Sequence, residues 1–265
     1  SSQSPAASTP AASSSQGASS TPADAESDLA YVQDQGTLYV GITNFAPMDY
    51  KEAGSDEWIG FDADMAKAFA ESLGVEVQFQ LIDWDNKVME LDGKTIDVVW
   101  NGMTLTDEVT SSMACSNAYC NNAQVVILPA DKAADYGTVD SLSGLRFAVE
   151  SGSAGMAQAE ENGLTYTDVV DQATALLEVK SGTADAAIID SLMAGAMVGE
   201  GTNYADLAIG PVLNAETGEQ YGVGFRKGSD AAAALNEFFA EQWESGALQT
   251  LAEQYGVQAA LIEQK

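Results

Sequence analysis

The chain has 265 residues, with 40 Asp and Glu against 10 Lys and Arg, no His, and a formal net charge of -30. So acidic a surface repels phosphate backbones and anionic headgroups, which excludes nucleic-acid binding. The lack of His removes the commonest general base and zinc ligand, and two cysteines, Cys115 and Cys120, are too few for a four-thiolate metal site.

Residues 1–28 are dominated by Ser, Ala, Thr, Pro, Gly and Gln. They cannot bury enough apolar surface to offset the entropy lost on ordering, and read as a disordered tether. Stalks of this kind follow the lipidated cysteine of bacterial lipoproteins, so a lipid anchor is expected as the sole link to a membrane. No apolar run reaches the length of a membrane span. The hydrophobic content of 46% supports a folded remainder.

In chain order, residues 37–42 (TLYVGI) are a β-rich run and 43–50 a loop holding Pro47. Residues 61–73 place Phe61, Met65, Ala68, Phe69 and Leu73 at helical spacing, ended by Gly74. Residues 75–82 alternate, with Val75, Val77, Phe79 and Leu81 expected inward. A helix over 84–91 stops near Gly93, and 95–100 is a buried strand. The pattern then recurs: strand 146–149, a Gly-rich turn at 151–155, helix 156–162, strand 166–170, helix 172–181, strand 184–189 and helix 191–198. After residues 222–226, helices 231–244 and 247–254 close the chain. Such alternation predicts parallel sheets faced by helices.

Residues 91–101 (LDGKTIDVVWN) resemble residues 179–190 (VKSGTADAAIID): a helix end, a Gly, an Asp, a buried strand and a terminal polar residue. Open α/β sheets bind ligands at the carboxyl ends of their strands. Asn101 and Asp190 are therefore expected at two such edges, one in each of two lobes that face each other across a cleft.

Residues 41–47 (GITNFAP), 60–67 (GFDADMAK), 93–97 (GKTID), 102–108 (GMTLTDE) and 222–227 (GVGFRK), in this order, resemble the extracellular solute-binding proteins for polar amino acids. The likeness spans roughly residues 36–258. It implies an α/β, two-lobed periplasmic-binding-protein-like fold, with two mixed α/β lobes joined by two hinge strands. Lobe 1 would comprise 29–122 and 222–265, and lobe 2 residues 123–221, with crossings near 121–124 and 220–222.

The resemblance also implies a site. Phe45 and Trp84 match two rings that grip the ligand, since aromatic faces hold apolar groups and attract cations; Trp84 also reads as an anchor of its own helix. Asn101, Gly102 and Thr104 match a loop offering a carbonyl to an ammonium, and an amide and a hydroxyl to a carboxylate. Asp190 matches the carboxylate that pairs with the ammonium, or else caps the helix behind it. Ser153 lies in a turn whose N–H groups can hold an anion. At position 109 the family usually has an arginine that clamps the ligand carboxylate, and here stands Val109, which cannot. Either Thr104, the Ser153 turn and helix N-termini hold the carboxylate, with Asn122 or Gln124 helping, or the ligand is an amine without one. Asp49, Asp83 and Asp85 suit a cationic ligand or form a solvated acidic surface. Cys115 and Cys120 form a local disulfide or remain two buried thiols.

Together these features imply a monomeric substrate-binding component of an ABC importer at the outer face of the membrane or in the periplasm. Its partners are a small amine-bearing molecule, an amino acid among them, and a permease; no cofactor, metal or catalytic residue is expected. The alternatives are an enzyme on the same scaffold, resembling cyclohexadienyl dehydratase, and a sensor subunit presenting ligand to a receptor.

Overall fold

A computed structural model describes residues 26–265. Most of the expected tether, residues 1–28, lies outside that range. Its last residues belong to helix α1 (Asp28–Gln35): the Ser27 hydroxyl accepts the Ala30 N–H at 3.1 Å, and Asp28 pairs with Arg226 at 2.8 Å.

The strands form two separate sheets. The first holds β1 (Thr37–Ile42), β2 (Glu76–Leu81), β3 (Val98–Thr104), β4 (Met113–Cys115) and β5 (Cys120–Asn122). The second holds β6 (Gln124–Pro129), β7 (Arg146–Glu150), β8 (Thr165–Val169), β9 (Ala186–Asp190) and β10 (Leu207–Val212). The chain then returns to the first sheet through β11 (Glu219–Arg226), giving the order β2-β1-β3-β11-β4, with β5 also on β11, against β10-β6-β9-β7-β8 in the second. Only Ala123 separates β5 from β6, so the chain leaves one sheet for the other there and comes back after β10. This is the expected two-lobed architecture.

Both sheets are mixed, where alternation alone predicted parallel ones. β1 runs parallel to β2 and β3, and β7 parallel to β8 and β9. β11 is antiparallel to β3, and β6 antiparallel to β9 and β10. Every antiparallel pairing involves β6 or β11, the two strands by which the chain passes between the sheets.

Helices α2 (Phe61–Leu73), α6 (Gln172–Ser181), α8 (Ala231–Glu244) and α9 (Ala247–Gln254) occupy the predicted bounds. Apolar spacing, the acidic N-cap of α6 and the left-handed glycines after α2 and α6 are all local signals. The helix predicted over 84–91 is instead a 3-10 turn at Trp84–Asn86 followed by α3 (Lys87–Asp92). Along β2 the alternation fails at its last member: Val77 and Phe79 pack on the core, but Leu81 is 61% exposed because β2 is an edge strand and ends there. The core of the first lobe is rich in aromatics, with Phe69, Trp100, Phe238 and Phe239 in edge or tilted contact, an arrangement favoured by ring quadrupoles.

The two matched segments do the same structural work. Asp97 accepts the Tyr39 N–H of β1 at 2.9 Å, and Asp185 accepts the Arg146 N–H of β7 at 2.9 Å; each carboxylate ties its loop to a neighbouring strand. They differ at the turn, where the left-handed residue is Lys94 in the first and Gly182 in the second.

Candidate functional site

Between the lobes lies a cavity of about 200 Å³, smaller than the pockets that take drug-sized molecules and suited to a small solute. Phe45, Trp84, Asn101, Gly102, Thr104, Ser153 and Asp190 all line it. Lys87, Glu150 and Gln172 line it too, and none of the three was singled out from the sequence.

β3 explains how Asn101, Gly102 and Thr104 reach the cavity. Its parallel pairing with β1 stops at Gly41 and Val99. The strand then runs on to Thr104 instead of ending at Trp100, and pairs with β11 through Met103 and Thr104 after a register shift. Gly102 makes the bend at φ 53°. A Cβ there would lie 3.1 Å from the Tyr221 ring and 3.3 Å from the Phe45 ring, so glycine permits both the conformation and the close approach. Two donors in this stretch are already used: Asn101 Nδ2 donates to the Thr43 hydroxyl at 2.8 Å, and the Gly102 N–H donates to Asp62 at 2.7 Å. Burial holds the Asp62 carboxyl up at about 7 despite hydrogen bonds from Tyr119 and Gly102.

Phe45 is buried, edge-on to Tyr221 with ring centroids 6.4 Å apart. Trp84 both lines the cavity and anchors a small cluster with Leu91, Ile96, Val99 and Val109. Val109 faces the cavity with an isopropyl group, and its N–H is capped by Thr106 at 3.2 Å. Neither arginine reaches the cavity. Arg226 is bound by Asp97, Asp28 and the Ile96 carbonyl, and exposed Arg146 lies 3.5 Å from Asp185.

Asp190 ends β9 and is 4% exposed. Its side chain makes no capping bond to α7 (Ser191–Met197). One oxygen accepts Gln124 Nε2 at 2.7 Å and Gln172 Nε2 at 3.1 Å, and the other accepts the Tyr221 hydroxyl at 2.5 Å. Burial and the nearby Glu219 raise its pKa to about 7, against the pull of those hydrogen bonds.

Several expected anion donors are committed elsewhere. The Ser153 hydroxyl caps α5 (Ala154–Glu161) by accepting the Met156 N–H, and its N–H donates to the Glu150 carbonyl at 3.2 Å. Gln124 Nε2 donates to Asp190 and, at 2.6 Å, to Glu219. Asn122 donates to Glu219 and accepts from Ser191 and Leu192. Gln124 and Asn122 thus bind the crossing strands together and do not line the cavity. Lys87 brings a cation that the sequence did not reveal. Its ammonium lies over the Trp84 ring, 4.7 Å from the centroid, and burial lowers its pKa against the opposing influence of Glu108, Glu150 and Asp85.

Asp49 is wholly buried, not part of an acidic surface, and both its oxygens lack a hydrogen-bond partner. Burial, with Asp62 and Asp64 nearby, pushes its pKa well up. Asp83 and Asp85 are exposed, and Asp85 accepts a hydrogen bond from the Ser151 hydroxyl at 3.3 Å, joining the lobes at the cleft mouth. Cys115 and Cys120 are free thiols, held apart on β4 and β5, which pair with different stretches of β11. No group of three or more His, Cys, Asp or Glu among the described residues is arranged to hold a metal ion.

A two-lobed α/β molecule with a small cavity between its two sheets is the architecture of a solute-binding protein. The chain belongs to the bacterial extracellular solute-binding proteins, family 3, whose model matches residues 38–258. It is a substrate-binding component of the kind that serves ABC transporters. It is 29% identical over 227 residues to the L-cystine-binding protein TcyJ of Escherichia coli (strain K12), covering 84% of each chain. With the arginine-binding extracellular protein ArtP of Bacillus subtilis (strain 168) it shares 27% over 212 residues, 78% of this chain and 81% of that one. A substrate-binding protein from Streptococcus pneumoniae with bound histidine superposes with a TM-score of 0.79 at 28% identity, over 89% of this chain and 98% of that one. An ancestral amino acid-binding protein, described as a precursor of cyclohexadienyl dehydratase, gives 0.77 at 28%, over 86% and 99%. The named relatives are binding proteins.

Proposed function

We propose that this protein captures an amino acid or a related amine in the cleft and delivers it to an ABC permease. It acts as a monomer on the outer face of the membrane or in the periplasm, tethered by a lipid anchor ahead of the acidic domain. Lobe 1 (29–122 and 222–265) receives the solute first through Phe45, Trp84 and Thr104, and lobe 2 (123–221) closes with Asp190 meeting the ammonium.

The observation that carries this reading is Asp190 itself. It is a buried carboxylate on the cavity wall, held by three donors and kept partly protonated by its surroundings. An arriving ammonium restores its charge and gains a charge-assisted hydrogen bond.

A thermal-shift screen of amino acids beside their decarboxylated amines tests the proposal. At least one is expected to raise the melting temperature of the wild type, and Asp190→Asn to lose that shift. Asparagine keeps the shape and removes a buried charge, so the ligand-free variant should melt no lower than the wild type. An undiminished ligand shift in the variant removes Asp190 from the site.

A second reading, an enzyme on the same scaffold, rests on the buried Glu150 carboxyl, raised well above the usual carboxylate range chiefly by burial, since perturbed acids in clefts are often catalytic. Against it, carboxylate substrates call for cationic clamps, and both arginines are engaged elsewhere. Ligand recovered unchanged after incubation supports capture; a product supports the enzyme. A sensor role would use the same pocket and is separated by whether the protein pulls down a permease or a receptor.

A further inference from the structure

Glu150 is the residue the pocket leaves unexplained. It ends β7 as Asp190 ends β9, and these strands are neighbours in the second sheet. Its side chain is only 3% exposed and lines the cavity. Its Oε2 has no hydrogen-bond partner among the described residues. No Lys or Arg nitrogen lies within ion-pair distance of it, since all five such pairs among the described residues lie elsewhere. Lys87, the nearest candidate, is held over Trp84 and donates to the Trp84 carbonyl at 3.4 Å.

A buried acceptor without a donor is expensive. The contrast with Asp190 shows what would relieve it. An ionised carboxylate has about four lone-pair sites, and Asp190 already accepts three hydrogen bonds, whereas Glu150 keeps an oxygen free. Formally the cavity wall carries Glu108, Glu150 and Asp190 against Lys87. Glu108 is exposed, while Glu150 and Asp190 are buried side by side with no ion-pair partner among the described residues. Three donors that could have met an anion, the Gly102 N–H, the Ser153 N–H and one N–H of the Asn101 amide, are used within the protein. The same wall lacks the His, Cys, Asp and Glu grouping of a metal site, which leaves an organic cation as the complement.

We propose that Glu150 is a second cation-receiving residue beside Asp190, so that the cleft selects a solute of net positive charge over a net-neutral zwitterion of the same length. This deepens the preceding reading and rests on it: Asp190 decides that an ammonium is bound, and Glu150 decides that net charge is favoured.

The test is calorimetric titration of the wild type, Glu150→Gln and Asp190→Asn with three probes of similar length: L-lysine, 1,5-diaminopentane and L-norleucine. The wild type is expected to bind lysine and the diamine at least about tenfold more tightly than norleucine. Glu150→Gln keeps the side-chain shape and should weaken the two cations by roughly 10- to 100-fold, as loss of a hydrogen bond to a charged group does. Norleucine should be unchanged or improved, so the cation-to-zwitterion ratio collapses. A purely structural role for Glu150 would move all three probes together. Norleucine binding as tightly as lysine in the wild type overturns the proposal, as does an unchanged ratio in Glu150→Gln. If Asp190→Asn loses binding while Glu150→Gln keeps the ratio, this inference fails and the amine-capturing cleft stands. If no probe binds the wild type, or Asp190→Asn binds all of them normally, both fall.

Discussion

Asp190 faces opposite demands with and without a ligand. Alone, its buried carboxyl is held up at about 7. If Asp190 meets the ligand ammonium as proposed, the ionised form is favoured, binding near neutral pH should expel a proton, and by linkage affinity should rise with pH through about 7 and then level off. Titrations of one amine ligand in buffers of different ionisation heat should show that proton release below pH 7 and its disappearance well above it. The ligand-free protein should show the reverse slope. A carboxyl whose folded pKa lies above its unfolded value of 3.8 lends stability that is present at low pH and lost as pH rises from about 4 to about 7. Melting followed over that window should fall less steeply in Asp190→Asn than in the wild type.

Among the elements, β11 does the most connecting. It pairs with β3, β4 and β5, carries Tyr221 to Asp190, and ends at Arg226. The Arg226 guanidinium is almost fully buried and holds Asp97, Asp28 and the Ile96 carbonyl at 2.8 to 2.9 Å. It thus fastens β11 to α1 and to the loop before β3. Truncating one partner of a buried ionic cluster strands the others without compensation. Arg226→Met should therefore cost about 3 kcal/mol in denaturant unfolding, with ligand affinity at the distant cleft unchanged in the protein that remains folded. A loss under 1 kcal/mol would show the cluster to be dispensable.

At the scale of the whole molecule, Asp85 and Ser151 join the lobes, and Tyr221 on β11 of the first sheet reaches Asp190 at the end of β9 in the second. The two strand crossings, bound together by Gln124, Asn122, Asn214 and Glu219, would be the pivots of the proposed closure. Contacts made only in the closed arrangement are what a ligand stabilises. The radius of gyration measured by X-ray scattering should therefore shrink when a saturating ligand is added. Identical scattering curves with and without it would argue against hinge closure.

Much of this was legible in the sequence, and the reason is locality. The bounds of α2, α6, α8 and α9 follow from apolar spacing and caps within a few residues of each end. The two matched Gly-to-Asp segments located Asn101 and Asp190 at cavity edges because a strand, its preceding turn and its terminal residue form one local unit. The seven cleft residues that the family resemblance implied all line one cavity. The Val109 departure was equally visible as a single letter.

Only the tertiary structure decided how that chemistry is shared out. Whether a donor is free depends on which distant partner has already taken it: Gly102 gives its N–H to Asp62, and Ser153 and Gln124 are spent on a cap and on the crossing strands. Burial turned Asp49 from a surface acid into an isolated one and left one Glu150 oxygen without a donor, although each reads as an ordinary acidic residue in the chain. Sequence fixes which groups exist and which local element carries them. Desolvation and hydrogen-bond competition arise between segments far apart along the chain, and these make Glu150 and Lys87 part of the cleft.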